Sequence, residues 1–453
     1  MKKNKFYLLL GILWLLAACA SMEPSRPATV GSAPPAALEK IWDKPVSLFE
    51  AAKKYYQNGE YTFAQMALNR ILEAYPKSEV YADAQNLAQE VSKFLGNTQA
   101  KIGVVLPLSG RFSRYGESIL DGISCALGFF DPCAGSSMPV QIVVKDSRGN
   151  ATVASNAIRE LVEEEKVVAI LGPLLSAETD VAAAQAQALH VPLIALSPKK
   201  GGTKDGDYIF QHALLIEDEM AFLLNKALKM GLNKFIVLYP KNRYGEQYLS
   251  LFTEELRRQG KGSLVGELGY EPDIPDFEGL LRNFTSEGNI DNTLRGTDAK
   301  RTGIFIPDGY EQALRIAQAF DQLSIRGARF IGTSRWYHPQ LIRRQFDSLE
   351  GTLLDTPFFA EGKGNETENF TQSFYQAYGN QPAWLEALGY DAARMLVRAM
   401  QSSSGSPQEI RDSLKAIGSF PGAVGSISWD RERSSKWPLN FLTIKNGEFV
   451  PQH

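Results

Sequence analysis

The sequence has few of the residues from which metal sites and catalytic centres are usually built. It contains three cysteines and four histidines, and these do not form a cluster with the spacing of metal ligands. The phosphate-binding pattern GxxxxGK, the metalloprotease pattern HExxH and the nucleophile pattern GxSxG do not occur. The sequence therefore predicts a protein without enzymatic activity, without a metal and without a cofactor.

A strong excess of charge of one sign is lacking too. The chain carries 48 basic and 51 acidic residues, a formal net charge of -3. Residues 1–18 contain lysines but no acidic residue, so their removal makes the chain more acidic. Nucleic acid is therefore not an expected partner, because it attracts proteins with a basic surface.

The sequence also lacks an apolar run long enough to cross a bilayer. Residues 6–18 are apolar but too few, and the lysines before them are typical of a secretory signal, predicted here as residues 1–18. The letters LAAC at 16–19 resemble the bacterial lipobox, which implies that Cys19 is diacylated and becomes the mature first residue. Ala20 is not the aspartate that retains enterobacterial lipoproteins at the inner membrane, so the resemblance implies an outer-membrane lipoprotein facing the periplasm. The alternative is a signal peptide with an incidental cysteine.

A short helical unit is predicted after this anchor. Residues 19–45 are rich in Pro, Ala and Ser and are expected to form a flexible tether. In residues 46–96, apolar residues recur three and four apart on both sides of a turn at 58–59, and a third helix is expected over 79–95. The layout resembles a tetratricopeptide repeat. One and a half repeats bury little surface, so we expect this unit to pack on the larger domain or on a partner.

The first α/β unit follows in the segment KIGVVLPLSGRFSRYGESILDGI at 101–123. Its apolar run at 102–108 is typical of a strand buried on both faces, and Ser109 opens a glycine-containing turn before a helical pattern. Strand, loop and helix in this order predict a parallel sheet. Ligands of such sheets bind at the carboxyl ends of the strands, so we expect Ser109 to lie near a ligand.

The same order recurs in two series, which predicts two lobes. In the first series, strands are expected at 140–145, 167–171 and 192–196, and helices at 151–164, 176–189 and 220–230. In the second series, strands are expected at 235–239, 263–270 and 302–307, and helices at 244–259, 277–284 and 310–322.

Residues 100–453 resemble the type I periplasmic binding proteins, specifically the branched-chain amino acid receptors. The resemblance is carried, in order, by PLSGRFSRYGESILDGI, DSRGNATVASNAIRELV, AILGPLLSAET, IALSPKK, YPKNRYGEQY, IPDGYEQALRIAQAF and GYDAARML. It implies an α/β, two-lobed Venus-flytrap fold, here preceded by the short all-α unit. The chain is expected to cross between lobes near His212, Pro357 and Phe420. Lobe 1 would then hold 100–212 and 357–420, and lobe 2 would hold 213–356 and 421–453.

The resemblance also implies a ligand cleft. In the family, a Ser/Ala/Thr set on lobe 1 holds the ligand carboxylate, and Ser176, Ala177 and Ser197 occupy the matching loops. Tyr244 and Tyr310 fall where the family places aromatic side chains against the ligand.

Two departures from the family change the expected ligand. The loop after Ser197 carries Lys199 and Lys200, and the position of the acid that holds the ammonium is occupied by the segment around Arg335. A neutral or anionic ligand therefore fits better than a zwitterionic amino acid. The alternative is that these loops are ordinary turns and the cleft binds nothing specific.

Two cysteines remain after lipidation. Cys125 and Cys133 are an even number in an oxidising compartment, which favours a disulfide that closes a short loop. Two unpaired thiols are the alternative, because helix geometry can hold the pair too far apart.

Two functions compete for this chain. The fold suggests a receptor of an ABC importer for an amino acid or another small polar solute. The combination of lipobox, tetratricopeptide-like helices and binding-protein domain resembles the lipoprotein activators of penicillin-binding proteins. That resemblance implies a peptidoglycan synthase or another envelope protein as partner, with the membrane reached through the lipid anchor.

Overall fold

The computed structural model describes residues 44–57, 61–95, 100–130, 132–133, 140–204, 206–286, 290–344, 346–362 and 364–452. The predicted signal peptide, Cys19 and nearly all of the tether lie outside the described residues. Within these ranges, none of the helices combines the length and the apolar character that crossing a bilayer requires.

The N-terminal helical unit packs on the larger domain. Its core residues, such as Leu48 and Leu68, belong to the same buried cluster as the first strand of that domain. The Tyr55 hydroxyl donates to the carbonyl of Phe129 at 2.9 Å. Its helices are α1 (Pro45–Gln57), α2 (Tyr61–Ala74) and α3 (Tyr81–Leu95).

Lobe 1 is built on a parallel sheet in the order β2-β1-β3-β4-β5. Its strands are β1 (Ala100–Leu106), β2 (Val140–Asp146), β3 (Ala169–Leu171), β4 (Leu193–Ala195) and β5 (Ile209–Gln211). The helices between them are α4 (Ser113–Ala126), α5 (Ala151–Glu163) and α6 (Ser176–Ala188). Because β2 is an edge strand, its outer carbonyls need partners. The Asn69 amide of α2 donates to one of them, on Ile142, at 3.3 Å, so the helical unit covers this edge.

Lobe 2 is built on a mixed sheet in the order β15-β14-β10-β9-β8-β6-β7. The five strands from β7 to β10 pair in parallel, and β14 and β15 add to them antiparallel. The strands are β6 (Lys234–Pro240), β7 (Ser263–Tyr270), β8 (Thr302–Ile306), β9 (Arg329–Gly332), β10 (Leu353–Thr356), β14 (Asn440–Lys445) and β15 (Glu448–Pro451). The helices are α7 (Ile216–Lys229), α8 (Arg243–Gln259), α9 (Phe277–Ser286), α10 (Ile290–Thr293), α11 (Gly296–Ala299), α12 (Tyr310–Gln322) and α13 (Pro339–Arg343). Two α/β lobes behind a helical unit confirm the predicted fold class.

After β10 the chain returns to lobe 1 and forms α14 (Asn365–Tyr378), α15 (Trp384–Gln401) and α16 (Pro407–Lys415). Helix α15 lies directly against α4, because a glycine on each helix removes the side chain at the contact. A Cβ atom at Gly122 would lie 1.9 Å from the carbonyl oxygen of Glu386, and one at Gly389 would lie 2.2 Å from that of Ile119. Any larger residue at these positions forces the two helices apart.

The third crossing lies later than the sequence predicted. Strands β11 (Phe420–Gly422), β12 (Gly425–Trp429) and β13 (Ser435–Lys436) form a small separate sheet, and Phe420 and Ile427 belong to the lobe 1 core. The buried carboxylate of Asp391 on α15 accepts hydrogen bonds from the backbone of Ala423 at 2.6 Å and Val424 at 3.1 Å. These bonds hold the β11–β12 turn on lobe 1. The chain therefore enters lobe 2 between β13 and β14, and not at Phe420.

His212 lies at the first crossing and contacts the third. Its Nδ1 lies 3.0 Å from the Ser435 hydroxyl, and its ring stacks on Trp437 at 4.8 Å. Burial lowers the pKa of His212 to about 3. The imidazole is therefore neutral throughout the physiological range, so this contact between the two connecting segments carries no charge.

Cys125 and Cys133 are joined by a disulfide. Cys125 is the penultimate residue of α4, and both cysteines are buried in the lobe 1 core. The bridge ties the end of α4 to the loop that follows it. In the chain-entropy view, closing a loop of this length stabilises the fold by about 2 to 3 kcal/mol.

The helix contact at Gly122 predicts a large effect for a small substitution. We expect Gly122→Ala to lower the free energy of unfolding by roughly 1 to 3 kcal/mol, the usual cost of overpacking, because the new methyl group meets backbone and not a movable side chain. Thermal and urea unfolding measure the change. Gly418→Ala is the matched control, since Gly418 is exposed and a Cβ atom there meets nothing within 4 Å. Equal stability of the two variants would contradict the close contact.

Candidate ligand cleft

A small cavity of about 140 Å³ lies between the lobes, beside the first two crossings. Its lobe 1 wall is apolar, its lobe 2 wall carries the polar groups, and the exposed indole of Trp384 at the start of α15 closes one side. The lining residues are Leu174, Leu196, Pro198, Ala213, Leu214, Ile216, Glu219, Tyr248, Ser334, Pro357 and Trp384.

The centre of the lobe 2 wall is the buried carboxylate of Glu219, on the first turn of α7. One oxygen accepts the Ser334 backbone N–H at 3.0 Å and the Ser334 hydroxyl at 2.6 Å. The other accepts the Tyr248 hydroxyl at 2.7 Å. Burial, and next the charge of Glu219, raise the pKa of Tyr248, which keeps this phenol a donor. Three donors of the protein itself thus satisfy the one carboxylate that lines the cavity.

Asp355, at the end of β10, is fully buried behind Glu219. Neither of its side-chain oxygens has a hydrogen-bond partner among the described residues. Burial, and next the charge of Glu219, raise the pKa of Asp355 well above its usual value. By keeping its proton, Asp355 avoids placing a like charge beside the Glu219 carboxylate in a buried site.

Two of the predicted lobe 2 residues lie together. The Arg335 guanidinium lies over the ring of Tyr244, 5.1 Å from its centre, and the Tyr244 ring is 4.7 Å from that of Tyr248. Burial raises the pKa of Tyr244, so its hydroxyl stays protonated. Arg335 is thereby held against the aromatic face of Tyr244, beside the group formed by Glu219, Ser334 and Tyr248.

Tyr310 lies apart from this group. Its ring stacks on His338 at 3.9 Å and its hydroxyl donates to the side-chain oxygen of Gln340 at 3.0 Å. Like Tyr244 and Arg335, Tyr310 is not among the residues that line the cavity.

On lobe 1 the structure brings two of the predicted residues together. The hydroxyls of Ser176 and Ser197 lie 3.3 Å apart, with Ser197 fully buried. Ser176 and Ala177 begin α6 and are exposed, and Ser109 is exposed on the loop after β1.

The two lysines of the lobe 1 loop are engaged by acidic side chains. Lys199 forms a hydrogen-bonded ion pair with Asp180 of α6. The exposed Lys200 lies 3.6 Å from the half-buried Glu217 of α7, so this pair joins the two lobes. Two of the three cations that suggested an anionic ligand, Lys199 and Lys200, therefore already have carboxylate partners.

Sequence reasoning missed Glu219, Tyr248, Asp355 and Trp384. The loop in which the family places its acid carries Arg335 here, whereas the structure supplies Glu219 from a different element. Glu219 stands third in a run of acidic residues at a helix start, a pattern that indicates only a favourable helix N-terminus. No local pattern distinguishes it from its less buried neighbours Glu217 and Asp218.

Comparison with known families identifies the larger domain. The periplasmic binding protein model matches residues 99–438. The chain belongs to the periplasmic binding protein family.

The curated relatives of this chain include activators of penicillin-binding proteins. The penicillin-binding protein activator LpoA of Vibrio cholerae is 24% identical over 324 residues, which cover 66% of this chain and 51% of that protein. LpoA of Mannheimia succiniciproducens is 22% identical over 367 residues, which cover 80% of this chain and 57% of that protein. The chain thus spans about half the length of the curated relatives it matches.

Solved structures show the same fold. A candidate branched-chain amino acid ABC transporter protein of Rhodospirillum rubrum aligns with a TM-score of 0.68 at 21% identity, over 78% of this chain and 100% of that chain. The isoleucine complex of LivJ from Streptococcus pneumoniae aligns with a TM-score of 0.59 at 21% identity, over 78% of this chain and 100% of that chain.

The buried acid pair predicts an unusual pH dependence for one variant. In the unfolded chain Asp355 ionises above about pH 4, whereas in the folded protein it keeps its proton. The free energy of unfolding therefore falls as the pH rises from about 4 towards the raised pKa of Asp355. We expect Asp355→Asn to gain stability relative to wild type by roughly 1.4 kcal/mol per pH unit at most between pH 5 and 7. Urea unfolding at both pH values measures this gain. The exposed Asp273→Asn serves as control, and a gain independent of pH would contradict a protonated Asp355.

Proposed function

We propose that the protein is a non-catalytic, lipid-anchored regulator that activates a penicillin-binding protein in the bacterial envelope. Two curated relatives, which match 66% and 80% of this chain, are activators of that type. The predicted lipobox and tether support a position at the membrane with the folded domains in the periplasm.

The state of the cleft is the observation that carries the proposal. None of the seven residues predicted to lie at the ligand lines the interlobe cavity, and its volume of about 140 Å³ is below the roughly 300 to 1,000 Å³ of ligand pockets. The Glu219 carboxylate, which could have received an ammonium group, already accepts hydrogen bonds from Ser334 and Tyr248. A receptor for a small polar solute needs free polar groups in its cleft, so this cleft suits a regulator better than an importer receptor.

The anchor is tested through Cys19. We expect Cys19→Ala to abolish incorporation of labelled palmitate and to leave a soluble or unprocessed product, because the acylated sulfur is gone. Metabolic labelling followed by membrane fractionation measures both effects. Ser21→Ala is the control, since it changes the neighbouring segment and keeps the thiol. Palmitate labelling that survives the loss of Cys19 would rule out the lipoprotein.

Two assays on the processed protein decide between activator and importer receptor. We expect it to raise the rate of glycan polymerisation or peptide cross-linking by purified synthases of the same bacterium. We also expect leucine, isoleucine and valine to raise the melting temperature by no more than about 1 °C, since weak binding contributes only RT ln(1 + [L]/Kd). Because Tyr310 lies outside the cavity, the variant Tyr310→Ala should stimulate the synthases as the unchanged protein does.

The opposite pattern would overturn the activator. A saturable shift of several degrees with one of these amino acids, lost in Tyr244→Ala, would show a functional cleft. Combined with no stimulation of any of the synthases, it would assign the chain to solute uptake.

A further inference from the structure

A second concave surface lies on lobe 1, in the groove between α14 and α15. It has a volume of about 570 Å³, four times that of the interlobe cavity. Helix α15 begins at the interlobe cavity with Trp384, and the groove residue Arg394 lies about 15 Å further along the helix axis. The groove is therefore separate from the ligand cleft. We propose that it binds an extended, acidic segment of a protein partner.

The two walls of the groove are rows of polar side chains at helical spacing. Glu366, Asn369 and Gln372 lie on α14, and Arg394, Arg398 and Gln401 face them from α15. The stretch from residue 390 to residue 401 rises about 16 Å, the length of about five residues of extended peptide. Carboxamide side chains both donate and accept hydrogen bonds, as peptide groups do. The groove thus matches a peptide in length and in hydrogen bonding.

Arg394 is fixed in the floor of the groove. Its guanidinium pairs with the Glu366 carboxylate and lies 5.4 Å from the ring centre of Tyr390 and 5.7 Å from that of Phe420. Both rings are buried, and the guanidinium covers them. Sugar rings commonly need an open aromatic face on which to stack, so the groove suits a peptide better than a glycan.

Arg398 supplies the charge that selects an acidic segment. It is exposed, one helical turn after Arg394. Glu366 is the carboxylate of this groove, and it is taken by Arg394. Among the described residues, none of the ion pairs includes Arg398. Its planar guanidinium can therefore bind a carboxylate of the partner in a bidentate manner.

The inference can be tested without a known partner by selecting phage-displayed random dodecapeptides for binding to the immobilised full-length processed protein. We expect selection to enrich peptides with Asp or Glu, and synthetic copies to lose at least tenfold in affinity against Arg398→Glu, as measured by fluorescence anisotropy. Gln401→Ala should lower the affinity for the same peptides severalfold.

Arg257→Glu is the matched control. Arg257 is also exposed and also lies in the last turn of a helix, so both reversals remove the same favourable interaction with a helix C-terminus. We expect equal melting temperatures for the two variants and unchanged peptide affinity for Arg257→Glu.

Three results would overturn the inference. They are the absence of enriched peptides, enrichment of peptides without acidic residues, and peptide binding that Arg398→Glu leaves intact. Binding of chitohexaose that is lost in Arg398→Glu, without peptide enrichment, would assign the groove to a glycan. The synthase assay is independent of these results, so failure of the groove and failure of the proposed activator are distinguishable.

Discussion

The backbone contact between α4 and α15 fixes the helix on which the other features of lobe 1 depend. Gly122 and Gly389 let the two helices meet without side chains between them. Helix α15 then carries Trp384 into the interlobe cavity, Asp391 to the turn between β11 and β12, and Arg394 into the groove with α14. A shift of this one helix would displace all three at once.

The two carboxylates of greatest interest are used in different ways. Asp391 accepts two backbone hydrogen bonds, which fasten a connecting segment to lobe 1. Burial raises the pKa of Asp391 to about 7. Glu219 accepts its bonds from Ser334 and Tyr248 inside lobe 2. Each is satisfied by the protein's own donors. Buried carboxyl groups satisfied in this way stabilise one arrangement of the chain and leave little for a ligand to bind.

The two concave surfaces of the molecule therefore differ in what they offer. The interlobe cavity is small, and its polar groups have partners inside the protein. The groove on lobe 1 is larger, and in its described part it presents exposed amides and an arginine outside the described ion pairs. Exposed donors and acceptors contribute to binding when a partner replaces water around them, so the groove is the better candidate for recognition.

The sequence by itself determined the fold class and the order of its elements. Apolar runs that end in glycine-containing turns, such as 102–108, specify buried parallel strands through local spacing alone. Patterns of this kind depend on neighbours in sequence, which is why they can be read without coordinates. The resemblance to the binding-protein family, and not local spacing, placed Tyr244 and Arg335 at one cleft, and in the structure the two side chains lie together.

Only the tertiary structure decided which residues share a site. Glu219 and Ser334 are 115 positions apart and meet because α7 packs against β10, next to the segment that follows β9. The third crossing follows β13 because Asp391 holds residues 32 and 33 positions further along the chain. Tyr310 turns towards His338 because that ring offers it a stacking surface. Contacts of such long range leave no periodic trace in the sequence, since each depends on how separate elements pack.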